Sequence, residues 1–339
     1  MCLRSKNTKW LVVVCIACSL MQVGCSAMKV KLGWRVDLTK TPVSSIEVSL
    51  PKGPAIAPGQ KSALVVEVTQ PDGKVLRTEG QGGGKVQWKD LHVTATVVTV
   101  NRKGVISLAK DPRVSDGKIG HVNVTIPSHP DIRPADLDVP FRYNIAFVCD
   151  FSGSHGTDGL NGQDGMDGIS GTPGSLDPNN PSPGGDGTNG TDGSNGQDGS
   201  PGGDAPPVDV RVTLQSADLQ STNRPLLQMS VSAQGKRRLY LVDPQGGSLK
   251  VVADGGQGGS GGRGGRGGRG GSGGIGTPNG RDGMSGSDGR NGWDGPEGKG
   301  GSITVTYDPQ VKPYLSVIHF SSRNGPPPIF KEALVAALW

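Results

Sequence analysis

Alternation of apolar and polar residues is the dominant pattern in the first 150 positions of the chain. Ile46, Val48 and Leu50 alternate with serine and glutamate, and 122–126 follows the same period of two. Such a period is typical of a β-strand with one buried face. The same pattern predicts further strands, which are 63–69, 74–78, 92–100, 105–108 and 141–149. Short strands at intervals of about ten residues, without a helical period, favour a β-sandwich over 25–150.

A second group of predicted strands is interrupted in the sequence. Its members are 208–214, 226–231, 238–242, 249–252, 302–307 and 316–320. Four short strands bury little surface, whereas six form a credible small sheet. We therefore predict one β domain from 207–254 and 302–339. Phe330, Leu334 and Leu338 recur at every fourth position, which predicts a short amphipathic C-terminal helix.

Glycine recurs at every third position in four segments that lie between these strands. We call the segments runs 1 to 4, and they are 153–174, 184–202, 256–274 and 280–301. A polyproline II helix repeats every three residues, so each run has its glycines along one bare edge that another backbone can approach. Each run has about seven triplets and spans ~60–70 Å at about 3.1 Å per residue.

The linkers within each pair of runs predict hairpins. The linker 175–183 joins runs 1 and 2, the linker 275–279 joins runs 3 and 4, and both contain Pro and Asn. Segments of equal length that are joined by turn-forming residues are typical of hairpins. The expected hairpins are 151–206 and 255–301, and the second is inserted into the second β domain.

The triplets of runs 1, 2 and 4 resemble the G-X-Y repeats of collagen-like proteins, which are trimers around a shared glycine axis. Proline, however, stands in frame only at Pro173, Pro201 and Pro296. Run 3 is mostly G-G-X and therefore has two bare edges. The pattern also resembles the polyglycine II bundles of springtail antifreeze proteins and of some phage tail-tip adhesins. That resemblance implies a monomer with an antiparallel bundle around run 3. A collagen-like homotrimer and a disordered linker stay open as alternatives.

Several motifs in the first strand region resemble the bacterial Ig-like domains of surface proteins. They are Ile46-Glu-Val48, Gly59-Gln60, Val86-Gln-Trp88, 104–108 and 120–126. The resemblance implies an Ig-like β-sandwich with Trp88 on a core strand, and it implies no ligand. The predicted fold is thus mostly β. It has an Ig-like β-sandwich, a small second β domain and a bundle of glycine-rich polyproline or polyglycine II helices.

The N-terminus has the pattern of a targeting signal. Arg4, Lys6 and Lys9 are basic, and they precede the apolar stretch 10–21. A stretch of this length is typical of a signal peptide and is too short to span a membrane as a helix.

The residues after this apolar stretch resemble the cleavage site of bacterial lipoprotein signals. They are Gln22-Val-Gly-Cys25, and Ser26 follows. The resemblance implies a signal peptide over 1–24, a lipid on Cys25 and attachment to a membrane through that lipid. It also implies a location in the bacterial cell envelope, with Ser26 favouring the outer membrane. An ordinary secretory signal is the alternative.

Charged residues form rows along the runs, although the net charge of the chain is only +5. Arg263, Arg266 and Arg269 form one stripe on run 3, with a spacing of ~9 Å. Aspartate precedes glycine in the other runs, at Asp158, Asp164, Asp167, Asp186, Asp192, Asp198, Asp282, Asp288 and Asp294. These rows are either solvated faces or a device in which the arginine stripe faces an aspartate row and orders the runs. The three arginines are also our candidate binding residues.

No set of residues indicates catalysis or a cofactor. Cys149 is the only cysteine after Cys25, and its strand predicts a buried structural thiol. The five histidines lack metal-ligand spacing, and the RGG triplets lack interleaved aromatic residues. We therefore predict a protein that is not an enzyme and has no catalytic residue, metal, cofactor or nucleic-acid partner.

Together these features favour a structural function. We expect a lipid-anchored envelope or surface protein that presents or spaces domains through a rigid glycine-rich bundle. The alternative is a surface adhesin that binds a glycan or a protein through its β domains or through the run tips at 175–183 or 275–279.

Overall fold

The computed structural model describes residues 34–215 and 225–339. The predicted signal peptide, 1–24, and the predicted lipidation site, Cys25, lie outside these residues. The chain divides into two compact units, the first ending at Ile145 and the second beginning at Ala146. Both units are mostly β, as predicted. The described helices are short 3₁₀ segments, which are Leu38–Lys40, Gly80–Gly82, Trp88–Asp90, Pro112–Val114 and Pro309–Val317. Over the same ranges, no helix has the length and apolar character that crossing a membrane requires.

The first unit consists of three antiparallel sheets. Its strands are β1 (Ser45–Ser49), β2 (Lys61–Ala63), β3 (Val65–Thr69), β4 (Val75–Arg77), β5 (His92–Thr96), β6 (Thr99–Val100), β7 (Val105–Ser107), β8 (Gly120–Thr125) and β9 (Ala135–Val139). The sheets have the strand orders β1-β3-β4, β2-β7-β6 and β5-β8-β9. The predicted alternation is present in β8, where Val122 and Val124 are fully buried within one apolar core.

Trp88 is buried in this core, but the predicted core strand at this position is wrong. Trp88 begins the 3₁₀ helix Trp88–Asp90 instead. Gly104 explains part of the local geometry, since it has a φ of +69° and an added Cβ would lie 2.0 Å from the Trp88 ring. The predicted strand 92–100 is divided in two, because Val97 has a φ of +65° and interrupts the extended backbone.

The second unit packs two sheets against each other around one core. Its strands are β10 (Ala146–Asp150), β11 (Val208–Leu214), β12 (Leu227–Ala233), β13 (Lys236–Val242), β14 (Ser248–Val252), β15 (Ile303–Tyr307), β16 (Ile318–Ser321) and β17 (Ile329–Glu332). One sheet has the order β13-β12-β11-β15-β17, and the other is the parallel sheet β10-β14-β16. Val210, Met229, Leu249 and Val251 are fully buried in the core.

The boundary between the two predicted β domains is corrected. The strand that contains Cys149 was assigned to 25–150, yet β10 belongs to the second unit. The reason is its pairing, since Cys149 lies opposite Val251 of β14 and joins the second core. Cys149 is fully buried, as its strand pattern predicted.

The predicted C-terminal helix is also wrong. Ile329–Glu332 forms β17, which pairs in parallel with β15, and no helix follows it. A helix of eleven residues is marginal by itself, whereas the edge of β15 offers hydrogen-bond partners for the backbone. Phe330 packs edge-on against Phe320 with ring centroids 5.7 Å apart.

Runs 1 and 3 continue the parallel pair β10 and β14. Asp150 lies opposite Val252 at the end of these strands. Gly153 then donates its N–H to the Asp254 carbonyl at 2.9 Å. The same offset is kept to the far end of the runs, where Gly174 donates to Ile275 at 2.7 Å.

Runs 2 and 4 continue into the parallel pair β11 and β15 in the same manner. Gly184 donates to the Pro278 carbonyl at 3.0 Å, and Val208 donates to Ser302 at 2.8 Å with the same offset. The sheets of the second unit therefore set the register of all four runs.

Candidate functional site

The four runs are joined by a regular set of backbone hydrogen bonds, which we call the glycine ladder. Between the parallel runs 1 and 3, Gly165 donates to the Arg266 carbonyl at 2.7 Å. Between the parallel runs 2 and 4, Gly193 donates to the Ser287 carbonyl at 2.9 Å. Each bond recurs at every third residue, in phase with the glycine spacing of the sequence.

Three further pairs of runs are antiparallel. Thr191 of run 2 donates to Met166 of run 1 at 2.9 Å and accepts from Gly268 of run 3 at 2.8 Å. Gly286 of run 4 donates to Gly268 of run 3 at 2.8 Å. Run 3 thus contacts the other three runs, as does run 2. The sequence predicted a bundle in which all neighbouring runs are antiparallel. Two pairs are parallel instead, because the strands that adjoin them, β10 with β14 and β11 with β15, are parallel.

Glycine is required along the ladder because neighbouring backbones approach very closely. A Cβ added to Gly165 would lie 2.0 Å from the Thr191 carbonyl oxygen, and one added to Gly268 would lie 2.0 Å from that of Met166. No L-residue fits at such distances. Gly185 is different, since its nearest neighbour would be the Thr172 hydroxyl oxygen at 2.8 Å, which belongs to a side chain.

The residue before glycine makes a second contact between the parallel runs. The Oδ1 atom of Asp164 accepts the N–H of Arg266 at 2.8 Å, while Gly165 donates to the carbonyl of that same residue. Asn161 and Gly162 hold Arg263 in the same way, at 2.9 and 2.7 Å. We call this two-point contact the Asx–Gly clamp.

Clamps recur along both parallel pairs. The residues that supply the Oδ1 atom and precede a glycine are Asp158, Asn161, Asp164, Asp167, Asp186, Asn189, Asp192, Asn195 and Asp198. Asp and Asn alternate freely among these positions, so the shared requirement is a carbonyl-type oxygen and not a negative charge.

Run 3 has its backbone donors satisfied over thirteen consecutive residues. Every N–H from 259 to 271 donates to another run, either to a backbone carbonyl or to a side-chain oxygen. Asp288, for example, accepts from Gly267 at 2.7 Å. An extended helix of this type has no internal hydrogen bonds, so these contacts replace those with water.

Hydroxyl groups of run 2 complete the contact with run 1. Thr188 donates its N–H to the Ile169 carbonyl at 2.9 Å, and its Oγ1 accepts the Ile169 N–H at 2.7 Å. The pairs of Thr191 with Met166 and Ser194 with Gln163 repeat this arrangement. The sequence signal for this contact is a small hydroxyl residue in the middle of successive triplets of run 2, a feature that the glycine period alone does not reveal.

The three candidate binding residues, Arg263, Arg266 and Arg269, lie in one exposed row on run 3. Their N–H groups are held by the side chains of run 1. Among the described residues, none of their guanidinium groups forms an ion pair with a carboxylate. Asp164 and Asp167 therefore face the arginine stripe, but they contact the backbone N–H groups of Arg266 and Arg269 and form no ion pair with the guanidinium groups.

Large apolar side chains are exposed on the outside of the ladder. The most exposed are Leu160, Met166, Ile169, Met284 and Trp293, and the Trp293 side chain is 80% exposed. The hydrogen bonds place Ile169, Thr188, Asn189 and Met284 at one level of the ladder, and Leu160 and Trp293 at another.

The two linkers meet at the far end of the ladder. Thr277 donates its N–H to the Ser182 carbonyl at 2.9 Å, which joins one linker to the other. Leu176 and Ile275 are exposed here, at 64% and 63%. The near end carries a clamp of its own, in which Asp254 accepts the Arg323 N–H and the Ser321 hydroxyl, both at 2.7 Å. The Arg323 N–H is the main reason why the pKa of the Asp254 carboxyl lies below its usual value.

Groups with catalytic potential are few. In the described ranges no cluster of three His, Cys, Asp or Glu side chains could hold a metal ion. Burial raises the pKa of the Cys149 thiol, which disfavours the thiolate form that a nucleophile needs. Its neighbours include Arg238, with Nη1 3.8 Å from Sγ.

Comparison with known proteins identifies no family for this chain. No protein-family model matches the chain, and no curated protein matches it. Among solved structures it has a likeness to the crystallised S-layer protein rSbsC, with 12% identity and a TM-score of 0.19. The matched region is 64% of this chain but only 29% of the S-layer protein. A superposition of this quality carries no argument about fold or function.

Proposed function

We propose that this protein is a non-enzymatic structural protein of the bacterial envelope or surface, which presents or spaces domains through a rigid polyglycine II-type bundle. The bundle is formed by runs 1 to 4 within one chain, and the protein is a monomer. The first unit is an Ig-like domain in this proposal. A lipid on Cys25 anchors the chain to a membrane, with Ser26 favouring the outer membrane.

The observation that carries the proposal is the continuity between strands and runs. The offset between β10 and β14 is kept without a break from Gly153 to Gly174. A segment held in one register by backbone hydrogen bonds on several sides has little freedom to bend, which suits a spacer. The run length of ~60–70 Å at about 3.1 Å per residue sets its reach.

The spacer function is tested by shortening the ladder while its contacts are kept. Two triplets are removed from each run at the same level, as 162–167, 190–195, 261–266 and 286–291. The clamps on either side then meet in register, and the ladder is shorter by about 19 Å. An epitope in the linker 175–183 reports how far the tip reaches.

We expect antibody labelling of the epitope on intact cells to fall in the shortened variant, while the amount of protein in the membrane fraction is unchanged. A variant that lacks only 162–167 is the control for lost register, and it should be degraded or unfolded. Equal labelling of the full-length and shortened ladders would contradict the spacer function.

The adhesin alternative draws support from the exposed apolar side chains at the tip. Leu176 and Ile275 extend from linkers that are hydrogen-bonded to each other, so a ligand would meet a defined surface. Replacing both by serine should abolish retention on an envelope glycan or host protein if the tip is a binding site. The Met284→Ser variant, which changes an exposed residue on a run, is the matched control.

A further inference from the structure

The glycine ladder is built from dipeptides that are chemically labile in flexible chains. In Asn-Gly and Asp-Gly the glycine nitrogen can attack Cγ of the preceding side chain, because glycine has no Cβ to hinder the approach. The nitrogen loses its proton, an N–Cγ bond forms, and ammonia leaves from Asn or water from Asp. Water then opens the resulting succinimide on either side and gives aspartate or isoaspartate.

The Asx–Gly clamps engage both reacting groups at once. At Asn189 the Oδ1 atom accepts the Met284 N–H at 2.8 Å, and the attacking nitrogen, that of Gly190, donates to the Met284 carbonyl at 2.9 Å. At Asn195 the same two bonds go to Arg290, at 2.8 and 2.9 Å. The nitrogen therefore keeps its proton in a hydrogen bond, and the side chain is held toward the neighbouring run.

Cyclisation would have to break both bonds together. It also requires the backbone around the Asx residue to rotate, and the close contacts of the ladder leave no room for that movement. A Cβ at Gly190 would already lie 2.2 Å from the Gly268 carbonyl oxygen. The reaction thus needs a prior opening of the run, and its rate depends on the population of the opened state.

From these contacts we propose that the clamped Asx–Gly dipeptides are latent sites of isoaspartate formation, which the folded ladder suppresses and local opening releases. The proposal does not depend on the proposed spacer function. It also predicts a consequence for the ladder. An isoaspartate adds Cβ to the main chain, so the glycines beyond it lose the period of three. Each isoaspartate would move the following glycines out of their close contacts with the neighbouring runs. The hydrogen bonds of further Asx–Gly dipeptides would then break.

The proposal is tested by ageing the soluble chain from Ser26 onward in mildly alkaline buffer, folded and in urea. The ageing buffer is made with heavy-oxygen water, so that each succinimide that opens gains one labelled oxygen. Mass spectrometry with electron-transfer fragmentation, which distinguishes isoaspartate from aspartate, then quantifies isoaspartate at each dipeptide. At Asn189 and Asn195 we expect formation to be slower in the folded chain by at least about tenfold, since an opening cost of only about 1.4 kcal/mol has this effect. Equal rates in the folded and urea-treated chains would overturn the proposal.

A pair of glycine variants tests whether the close contacts of the ladder, and not the fold in general, suppress isoaspartate formation. Gly265→Ala places a Cβ 1.9 Å from the Gln163 carbonyl oxygen and should raise isoaspartate at Asp164 and Asn195. Gly185→Ala places its Cβ 2.8 Å from the Thr172 hydroxyl oxygen and 3.1 Å from the Thr172 nitrogen, which asks for a much smaller shift, and it should leave both rates nearly unchanged. If Gly265→Ala does not fold, its rates should equal those in urea. Rates in Gly265→Ala that stay at the level of the folded parent would contradict the proposal.

Discussion

Asp164 and Arg266 are 102 positions apart and of opposite charge, yet they are joined through the Arg266 backbone, whose N–H lies 2.8 Å from Asp164 Oδ1. The guanidinium group takes no part in this contact. The same relationship recurs along the parallel runs with asparagine in place of aspartate and with residues other than arginine as the donor. The contact therefore satisfies backbone donors of an extended helix, which forms no hydrogen bonds within itself.

The first prediction concerns glycines at one level of the ladder. Gly171→Ala would place a Cβ 1.9 Å from the Gly185 carbonyl oxygen, so the runs must separate. We expect a loss of about 3 kcal/mol or more in the free energy of unfolding, measured by urea denaturation. Gly185→Ala is the matched control, because its Cβ would lie 2.8 Å from the Thr172 hydroxyl oxygen and 3.1 Å from the Thr172 nitrogen, and it should cost only about 1 kcal/mol. Similar losses for both variants would contradict the role of the bare edges.

The second prediction tests whether Asp164 stabilises the fold through the hydrogen bond of the clamp or through an ion pair with Arg266. Asp164→Ala removes the acceptor and should lower the free energy of unfolding by about 1 kcal/mol, the usual net value of a hydrogen bond. Asp164→Asn keeps Oδ1 and should have almost no effect, and Arg266→Ala should likewise keep the clamp. Thermal unfolding at low and high salt measures these differences. A loss in Asp164→Asn that disappears at high salt would indicate an ion pair instead.

The third prediction is a pH dependence at the near end of the ladder. The folded-state pKa of Asp254 is lowered from 3.8, chiefly by the Arg323 N–H, so its carboxylate stabilises the folded state above pH 3.8. This contribution is lost as the pH falls through the lower, folded-state pKa. The difference in unfolding free energy between the parent and Asp254→Asn should be constant above about pH 5 and shrink in acid. A difference that grows in acid would contradict the assignment.

The fourth prediction uses Cys149 as a reporter of the second core. The thiol is fully buried and burial raises its pKa, so it should react with an aromatic disulfide reagent only when the sheets open. In the soluble chain from Ser26 onward it is the only cysteine. Val148 is 62% exposed on the same strand, and a Val148→Cys/Cys149→Ala variant should react at the rate of a free thiol. A parent that reacts equally fast would contradict the packing of β10.

Local patterns were sufficient to predict many of the strands. The alternation in 208–214 predicted β11 with its bounds, because the pattern alone identifies a strand with one buried face. The C-terminal helix was predicted wrongly, because the spacing of Phe330, Leu334 and Leu338 does not reveal that β15 has an open edge nearby. The Asx–Gly clamps could not be predicted from the sequence for a similar reason. Which N–H faces Asp164 is set by the parallel pairing of β10 and β14, and that pairing is a non-local property.

The glycine period predicted close approach of the runs, and run 3 was expected to contact the other three because of its second bare edge. Run 3 forms backbone hydrogen bonds with each of the other three runs. The role of run 2 was not predicted, since its contacts depend on Thr188, Thr191 and Ser194. Their hydroxyl groups receive N–H donors from run 1, and a serine or threonine in a triplet does not by itself specify such a partner.

The most direct test of the ladder is residue-resolved amide hydrogen exchange on the soluble chain. The fifth prediction is that every N–H from 259 to 271 is protected, because each one donates to another run. A collagen-like trimer would protect only the one glycine N–H per triplet that faces the shared axis, and a disordered linker would protect none. Continuous protection across run 3 is the predicted result, and either of the other two patterns would contradict the glycine ladder.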